Sequence, residues 1–369
     1  MIDFAKRRKG LPRLGNRLRD GEEVRILAFG GGLTYDAYYL ASMARMLATA
    51  YAKAIVETAT RALPEFGSER AVFRARAALE MNPDIALVEF FADDAGSESS
   101  RTARAVEGIV RQLRSTDPDR ELAFVYFAGA AARGDERLAK TLQDWERVAD
   151  HYGIPSFDCM TLANWFVEKG VALWFERWPG RKSWDDRRPV ALTYDGAQHT
   201  AGGGTLFGTH IAQAIITMCN PATLRTQSDL TAPLQRDHWG DAISVGAARL
   251  GGNGWVAGPI ADILHTSPVA KCFSELSAAE REGARLRVDF NGRYAALWTL
   301  GTGGAISVAI DGEWRELPMP SDERHHVHEL LDEDENRTHV LEIEARALPA
   351  VIAGLDVLGQ VLPQVPSNG

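Results

Sequence analysis

The side chains with chemical potential gather in three stretches of the sequence. The first is Gly30 to Asp36, where Thr34 supplies a hydroxyl. The second is Phe91 to Ser97, with the neighbouring carboxylates Asp93 and Asp94. The third is the segment holding Asp195 and His199. A hydroxyl becomes a useful nucleophile only when a base within hydrogen-bond reach takes its proton, and histidine suits that task near neutral pH. Other constellations carry less. Ser68 precedes a helical run and reads as its N-cap. His325, His326, His328 and His339 stand in a polar stretch that reads as a solvated loop between strands, and no metal site is expected there. Gly202 to Gly204 lack the Gly-Lys-Ser/Thr that completes a phosphate-binding loop, so they read as a tight turn at a helix start. Trp165, Trp174, Trp178 and Trp184 have amphipathic faces suited to sugar rings, or to core and lid packing.

The elements that position these residues alternate. Val24 to Phe29 (VRILAF) is an apolar run stopped by Gly30, Gly31 and Gly32, which predicts a buried strand entering a tight loop. Helical spacing follows, with Tyr39, Leu40, Met43, Met46 and Leu47 on one stripe. Phe73 to Leu79 is helical, and Ile85 to Phe91 (IALVEFF) is a second buried strand. Arg104 to Arg114 is an amphipathic helix and Leu122 to Phe127 a third strand. Leu138 to Tyr152 is helical, Ile154 to Phe157 begins a short strand, and helices cover Thr161 to Lys169 and Leu206 to Met218. Such alternation predicts a parallel sheet with helices on both faces, and ligands bind such sheets beyond the carboxyl ends of the strands.

From Pro221 to Glu275 the pattern is irregular and rich in Gly, Asp and Pro. Beyond it the period falls to two: Leu286, Val288 and Phe290 alternate, as do Ile306, Val308 and Ile310, with a third run at Val340, Leu341 and Ile343. Turns are expected at Gly301 to Gly304 and at Asp311-Gly312, so a small antiparallel β-sandwich is predicted. The chain divides into a basic N-terminal arm (1–23), an α/β domain (24–220), a connector (221–275), the sandwich (276–361) and a tail (362–369).

Of 369 residues, 45% are hydrophobic and 25% charged, the composition of a globular protein. A net charge of −9 argues against a nucleic-acid binder, which needs a basic surface. No stretch approaches the ~18 apolar residues of a membrane span, and Met1 to Gly10 lacks a secretory apolar core, so no membrane partner and a cytoplasmic location are expected. Cys159, Cys219 and Cys272 are widely spaced, as free thiols are.

Five segments, in order, carry a resemblance. ILAFGGGLTYDAY (Ile26 to Tyr38) resembles the first block of the SGNH (GDSL-type) hydrolases, where a strand leads into Phe-Gly-Asp/Gly-Ser-Leu-Thr. GSERAVFRA (Gly67 to Ala75) is similar to the end of the second block, and NPDIALVEFFADD (Asn82 to Asp94) to the third, which ends in Asn-Asp. AVEGIVRQLR (Ala105 to Arg114) and VADHYGIPSFD (Val148 to Asp158) resemble connecting elements of bacterial members. DGAQHTAGG (Asp195 to Gly203) is similar to the fifth block, with its Asp and His. The resemblance covers residues 24 to 220.

It implies a three-layer α/β/α flavodoxin-like fold and ester hydrolysis without a cofactor. In that chemistry a serine attacks, a histidine oriented by an aspartate serves as base, and serine N–H, glycine N–H and an asparagine form the oxyanion hole. Gly32 stands at the serine position. Thr34 is the nearest substitute hydroxyl, with Ser68 a further one. Asp93 replaces the asparagine; ionised, it accepts hydrogen bonds without donating any, so it is either a donor whose pKa is raised with help from Asp94 or a solvated loop carboxylate. Pro64, near the expected oxyanion glycine, has no N–H. Asp195 and His199 are retained, one residue further apart than Asp-x-x-His. Gly31, Asp94, Trp174 and Trp178 are the expected binding residues. Three functions follow from the resemblance. They are an SGNH relative with weak or lost serine-esterase activity, an active carbohydrate esterase or acyltransferase with a relocated hydroxyl, and a non-catalytic glycan-binding or scaffold protein. The expected ligand is a small molecule or glycan ester, and no oligomeric state is implied.

Overall fold

The computed structural model describes residues 2–130, 134–175, 189–219, 230–250, 252–259, 275–322 and 324–363. The chain forms two units, Met1–Gly240 and Asp241–Gly369. Six strands make the sheet of the first: β1 (Ala5–Lys6), β2 (Glu23–Gly30), β3 (Ile55–Ala62), β4 (Ile85–Glu89), β5 (Glu121–Tyr126) and β6 (Ser156–Asp158). Their spatial order is β1-β6-β5-β4-β2-β3, parallel throughout except for β1. β4 and β5 are buried along their whole length, which is why they read as unbroken apolar runs.

Successive residues of a strand point to opposite faces, and each face of this sheet is covered. Ile26, Ala28, Leu87, Ala123 and Val125 pack with Tyr39, Met43, Leu162, Ile211 and Ile215 in one core. On the other face Phe124 meets Trp145 of the helix Glu136–Tyr152 edge-on, at 4.8 Å between ring centroids. The arrangement is a three-layer α/β/α unit.

The N-terminal segment is more than an arm. It holds β1 and a helix, Pro12–Asp20, whose Leu14 and Leu18, with Leu11 before it, are fully buried and each worth about 2 kcal/mol. This helix crosses the end of the helix Ala201–Met218 so closely that a Cβ on Gly15 would stand 2.3 Å from the Cys219 carbonyl. Its basic residues are paired: Arg8 bridges Glu146 at 2.8 Å and Asp150 at 2.7 Å, and Arg13 meets Asp117 at 3.0 Å.

The second unit is an antiparallel assembly of eight strands, in the order Trp255–Pro259, Glu275–Ala279, Val351–Val361, Arg285–Leu300, His325–Ala347, Ala305–Ile310, Glu313–Pro318, with Ala242–Gly246 also pairing Val351–Val361. Its own core includes Leu286, Val288, Phe290, Leu297, Ile306, Leu341 and Ile343. The Asp311-Gly312 turn is present, with φ of 53° and 89° as a tight two-residue hairpin demands. Two strands, Ala242–Gly246 and Trp255–Pro259, occupy the segment read as an irregular connector. The histidine-rich stretch is also strand and not loop: pairing with Arg285–Leu300 overrides its polar composition. His339 is buried and bonded to Asp311 at 2.8 Å, and no metal-binding group of side chains exists among the described residues. Among those residues no helix is long and apolar enough to cross a membrane.

Candidate active site

The chain leaves β2 outward to β3, then returns across it to β4. The crevice at such a reversal, past the carboxyl ends of the strands, is where an open α/β sheet offers room for a ligand. Gly30 ends β2 opposite Glu89, the last residue of β4, so the loops Gly31 onward and Phe90 onward flank that crevice. The Gly31 N–H donates to the Glu89 carbonyl at 2.8 Å and ties the two loops together.

The three consecutive glycines have different reasons to be there. A Cβ on Gly30 would lie 2.1 Å from Thr34 Oγ1 and 2.6 Å from the Glu89 carbonyl, and one on Gly31 would lie 1.9 Å from Asp93 Oδ2. A Cβ on Gly32 would meet nothing within 4 Å. Crowding demands the first two; space is open at the third, the position implied for the serine.

Neither substitute hydroxyl is available. Thr34 is completely buried and its Oγ1 donates to Glu89 Oε2 at 3.0 Å, which makes it a support of the loop and corrects its alternative reading as nucleophile. Ser68 is buried as well, beneath the loop surface. It is the first residue of the helix Ser68–Ala71 and not its N-cap, which is Gly67. The capping carboxylate is Asp94, whose Oδ1 accepts the Ser68 N–H at 2.7 Å and whose Oδ2 accepts Trp145 Nε1–H at 2.9 Å. Fully buried and doubly committed, Asp94 holds the loops together and does not face a ligand; burial pushes its carboxyl up to about 7 against those two hydrogen bonds. Here too the expectation of a binding role is corrected.

Asp93 turns the other way. Oδ2 packs on Gly31 while its outer edge is exposed. Crowding by the loops pushes its carboxyl up to about 6, the Gly32 N–H opposes that, and the charge of Glu65 adds to it. With one edge in water this shift carries little stability. The Gly32 N–H, which the resemblance makes an oxyanion donor, thus faces a resident carboxylate. Leu63 donates to the Gly30 carbonyl at 2.8 Å, Pro64 has no N–H to offer, and Glu65 takes the left-handed backbone, φ 69°, that glycine adopts without strain.

Asp195 and His199 do not form a dyad. Asp195 is exposed and its Oδ1 accepts the backbone N–H groups of Gln198, at 2.8 Å, and Ala197, at 2.9 Å, which hold its pKa below the usual carboxylate range. These bonds form an Asx turn that aims the carboxylate at its own loop. His199 is 4% exposed, between the rings of Phe127 at 4.6 Å and Phe207 at 4.8 Å, and burial lowers its pKa to about 4. It is a neutral imidazole at pH 7, and among the described residues neither ring nitrogen has a hydrogen-bond partner. The expectation that Asp195 orients it is corrected.

One residue of consequence escaped the sequence reading. Glu89 is fully buried beneath the glycine loop, and burial first, then the charge of Asp93, pushes its carboxyl well above the ordinary range. Its Oε1 and the nearby Tyr39 hydroxyl have no hydrogen-bond partner among the described residues. The signal was a lone acid within the apolar run IALVEFF, at the end of β4. Trp174 lies in the strand Ala172–Phe175 at the edge of the first core, and Trp178 and Trp184 fall outside the described residues. Gly203, Gly204 and Gly208 serve packing. A Cβ on each would stand 2.1 Å from the Leu192 carbonyl, 2.4 Å from Tyr38 Cβ and 2.1 Å from the Tyr39 carbonyl, respectively. Thr200 caps their helix by accepting the Gly203 N–H at 2.8 Å.

The first unit is a three-layer α/β/α fold with reversal-point loops, and with the antiparallel second unit the chain has the two-domain form of a known esterase. That form is shared with a two-domain esterase (CEX) active on acetylated mannans, which aligns over 98% of this chain and 100% of its own at a TM-score of 0.73 and 18% identity. The same esterase co-crystallised with mannopentaose aligns over the same shares at a TM-score of 0.72 and 17% identity. AlinE4, an SGNH-hydrolase family esterase, matches 38% of this chain and 80% of its own at a TM-score of 0.33 and 17% identity. No family model matches the sequence, and no curated protein matches it.

Proposed function

We propose that this chain is an SGNH-fold relative of the carbohydrate esterases that has lost serine-esterase chemistry and retains its cleft to bind a glycan. The observation that carries the loss is Gly32: no side chain occupies the attacking position, and both nearby hydroxyls, Thr34 and Ser68, are buried. A base without an orienting acid, at His199, supports the same reading. The glycan half rests on the shared two-domain fold, whose esterase form acts on acetylated mannans. Two described cysteines, Cys159 and Cys219, are buried free thiols, which supports a reducing, cytoplasmic setting.

The test is hydrolysis of a short-chain aryl ester together with labelling by a fluorophosphonate. The expected outcome is hydrolysis at the buffer rate and no label on Thr34 or Ser68. Robust turnover by the unaltered chain, abolished in His199→Ala, overturns the reading.

A further inference from the structure

Asp93 gives the cleft a polarity opposite to the one an acyl group requires. An ester carbonyl has only acceptor oxygens, and its tetrahedral adduct is an anion; both need donors. Here the side chain beside the glycine loop is a carboxylate, packed on Gly31 and facing the Gly32 N–H, with the negative charge of Glu65 nearby. His199 is neutral and brings no compensating cation. Above Gly32 lies open space. An ester oxygen placed there meets an acceptor and competes with Asp93 for the one N–H, whereas a free hydroxyl donates to the carboxylate and leaves the Gly32 N–H bonded to it.

We infer that the cleft selects the unacylated form of its ligand, a polyol whose free hydroxyl donates to Asp93, and discriminates against the acylated form of the same molecule. This rests on the glycan reading above and reverses the preference that an esterase shows for its substrate. Sites built around a hydrogen bond to a substrate hydroxyl reject analogues lacking it, because the site's own polar group is left unpaired. Asp93 is solvent-exposed on one edge, so the discrimination is modest compared with a closed pocket.

Two substitutions separate the carboxylate from its position. Asp93→Asn keeps the shape and introduces a donor. Gly31→Ala leaves the acid in place chemically but puts a Cβ where Oδ2 now lies, so the flexible side chain must turn away. The experiment is calorimetric titration of the full chain at pH 7.5 with mannopentaose and with chemically acetylated mannopentaose.

The unaltered chain is expected to bind the free oligosaccharide about tenfold more tightly than the acetylated one, a ratio of the order that one modest hydrogen bond supplies. Asp93→Asn and Gly31→Ala are each expected to erase or invert that ratio. Equal affinity for the two forms, tighter binding of the acetylated form, or an unchanged ratio in Asp93→Asn overturns the inference while the glycan reading stands. Binding of neither form by the unaltered chain overturns both.

Discussion

Placing a hydroxyl at position 32 with Gly32→Ser gives a quantitative test of how much of a serine-esterase site the cleft holds. A Cβ at position 32 meets nothing within 4 Å, so the substitution adds no steric strain. Gly32 is the first residue of the short helix Gly32–Asp36, and replacing glycine by serine in helical backbone is worth a few tenths of a kcal/mol in its favour. The melting temperature is therefore expected to stay within about 2 °C of the parent. Activity is another matter. Removing one oxyanion-hole donor from a serine hydrolase lowers turnover by about 10² to 10³, and removing the acid that orients the histidine lowers it by about 10⁴. In this cleft Asp93 opposes the oxyanion and Asp195 faces its own loop. His199, with its pKa lowered to about 4, is also a weaker base than a free imidazole. These losses are not additive, but together they place Gly32→Ser at least about 10⁴-fold below an intact triad. Hydrolysis of p-nitrophenyl acetate, read against a buffer blank and against Gly32→Ser/His199→Ala, is expected to rise no more than a few-fold. Adding Asp93→Asn is expected to raise it further, by up to about 10². A single Gly32→Ser with kcat/KM near 10⁴ M⁻¹s⁻¹, an ordinary enzyme value, would refute the reasoning, because only the nucleophile would then have been missing.

Two further outcomes probe the supports of the cleft. Asp94→Ala leaves the Ser68 N–H and the Trp145 indole N–H buried without an acceptor, and a loss of about 2–4 kcal/mol is expected in urea unfolding. Glu89 has a folded-state pKa raised above its unfolded value, so the native state holds its proton longer, and stability falls as pH rises from about 4.5 through the raised value. Glu89→Gln, which mimics the protonated acid, is expected to reduce the decline of the melting temperature between pH 5 and 8. An unchanged slope would show that Glu89 is already ionised in the native protein.

Much of the scaffold was legible because burial on both faces leaves an unmistakable trace. Ile26 to Phe29 of β2, Ile85 to Val88 of β4 and Leu122 to Tyr126 of β5 are apolar runs, and the strand-helix alternation follows from them. β3 was not legible. At the sheet edge it has no partner on one side among the described residues, and its IVETATRA sequence is half polar as an edge permits. The helix Pro12–Asp20 hid behind its arginines, although Leu11, Leu14 and Leu18 already had helical spacing. At the site, residue types were readable and directions were not. Nothing in DGAQHT says that Asp195 spends its carboxylate on Ala197 and Gln198, because that choice is made by a turn. Likewise, the contrast between Asp93 outside and Asp94 inside depends on Trp145, which approaches from another helix.

The crowding at Gly31 also constrains how this chain can change. As long as Asp93 lies against it, any residue with a Cβ at position 31 must first displace that carboxylate, whereas position 32 accepts a serine freely. The two glycines are therefore unequal steps on a mutational path. A lineage gaining a nucleophile at 32 meets no folding barrier, but it inherits the carboxylate beside it, and only a change at 93 alters what the loop will hold. The order of events is written into the packing: a hydroxyl can enter at any time, and its arrival is silent until the neighbouring charge is gone.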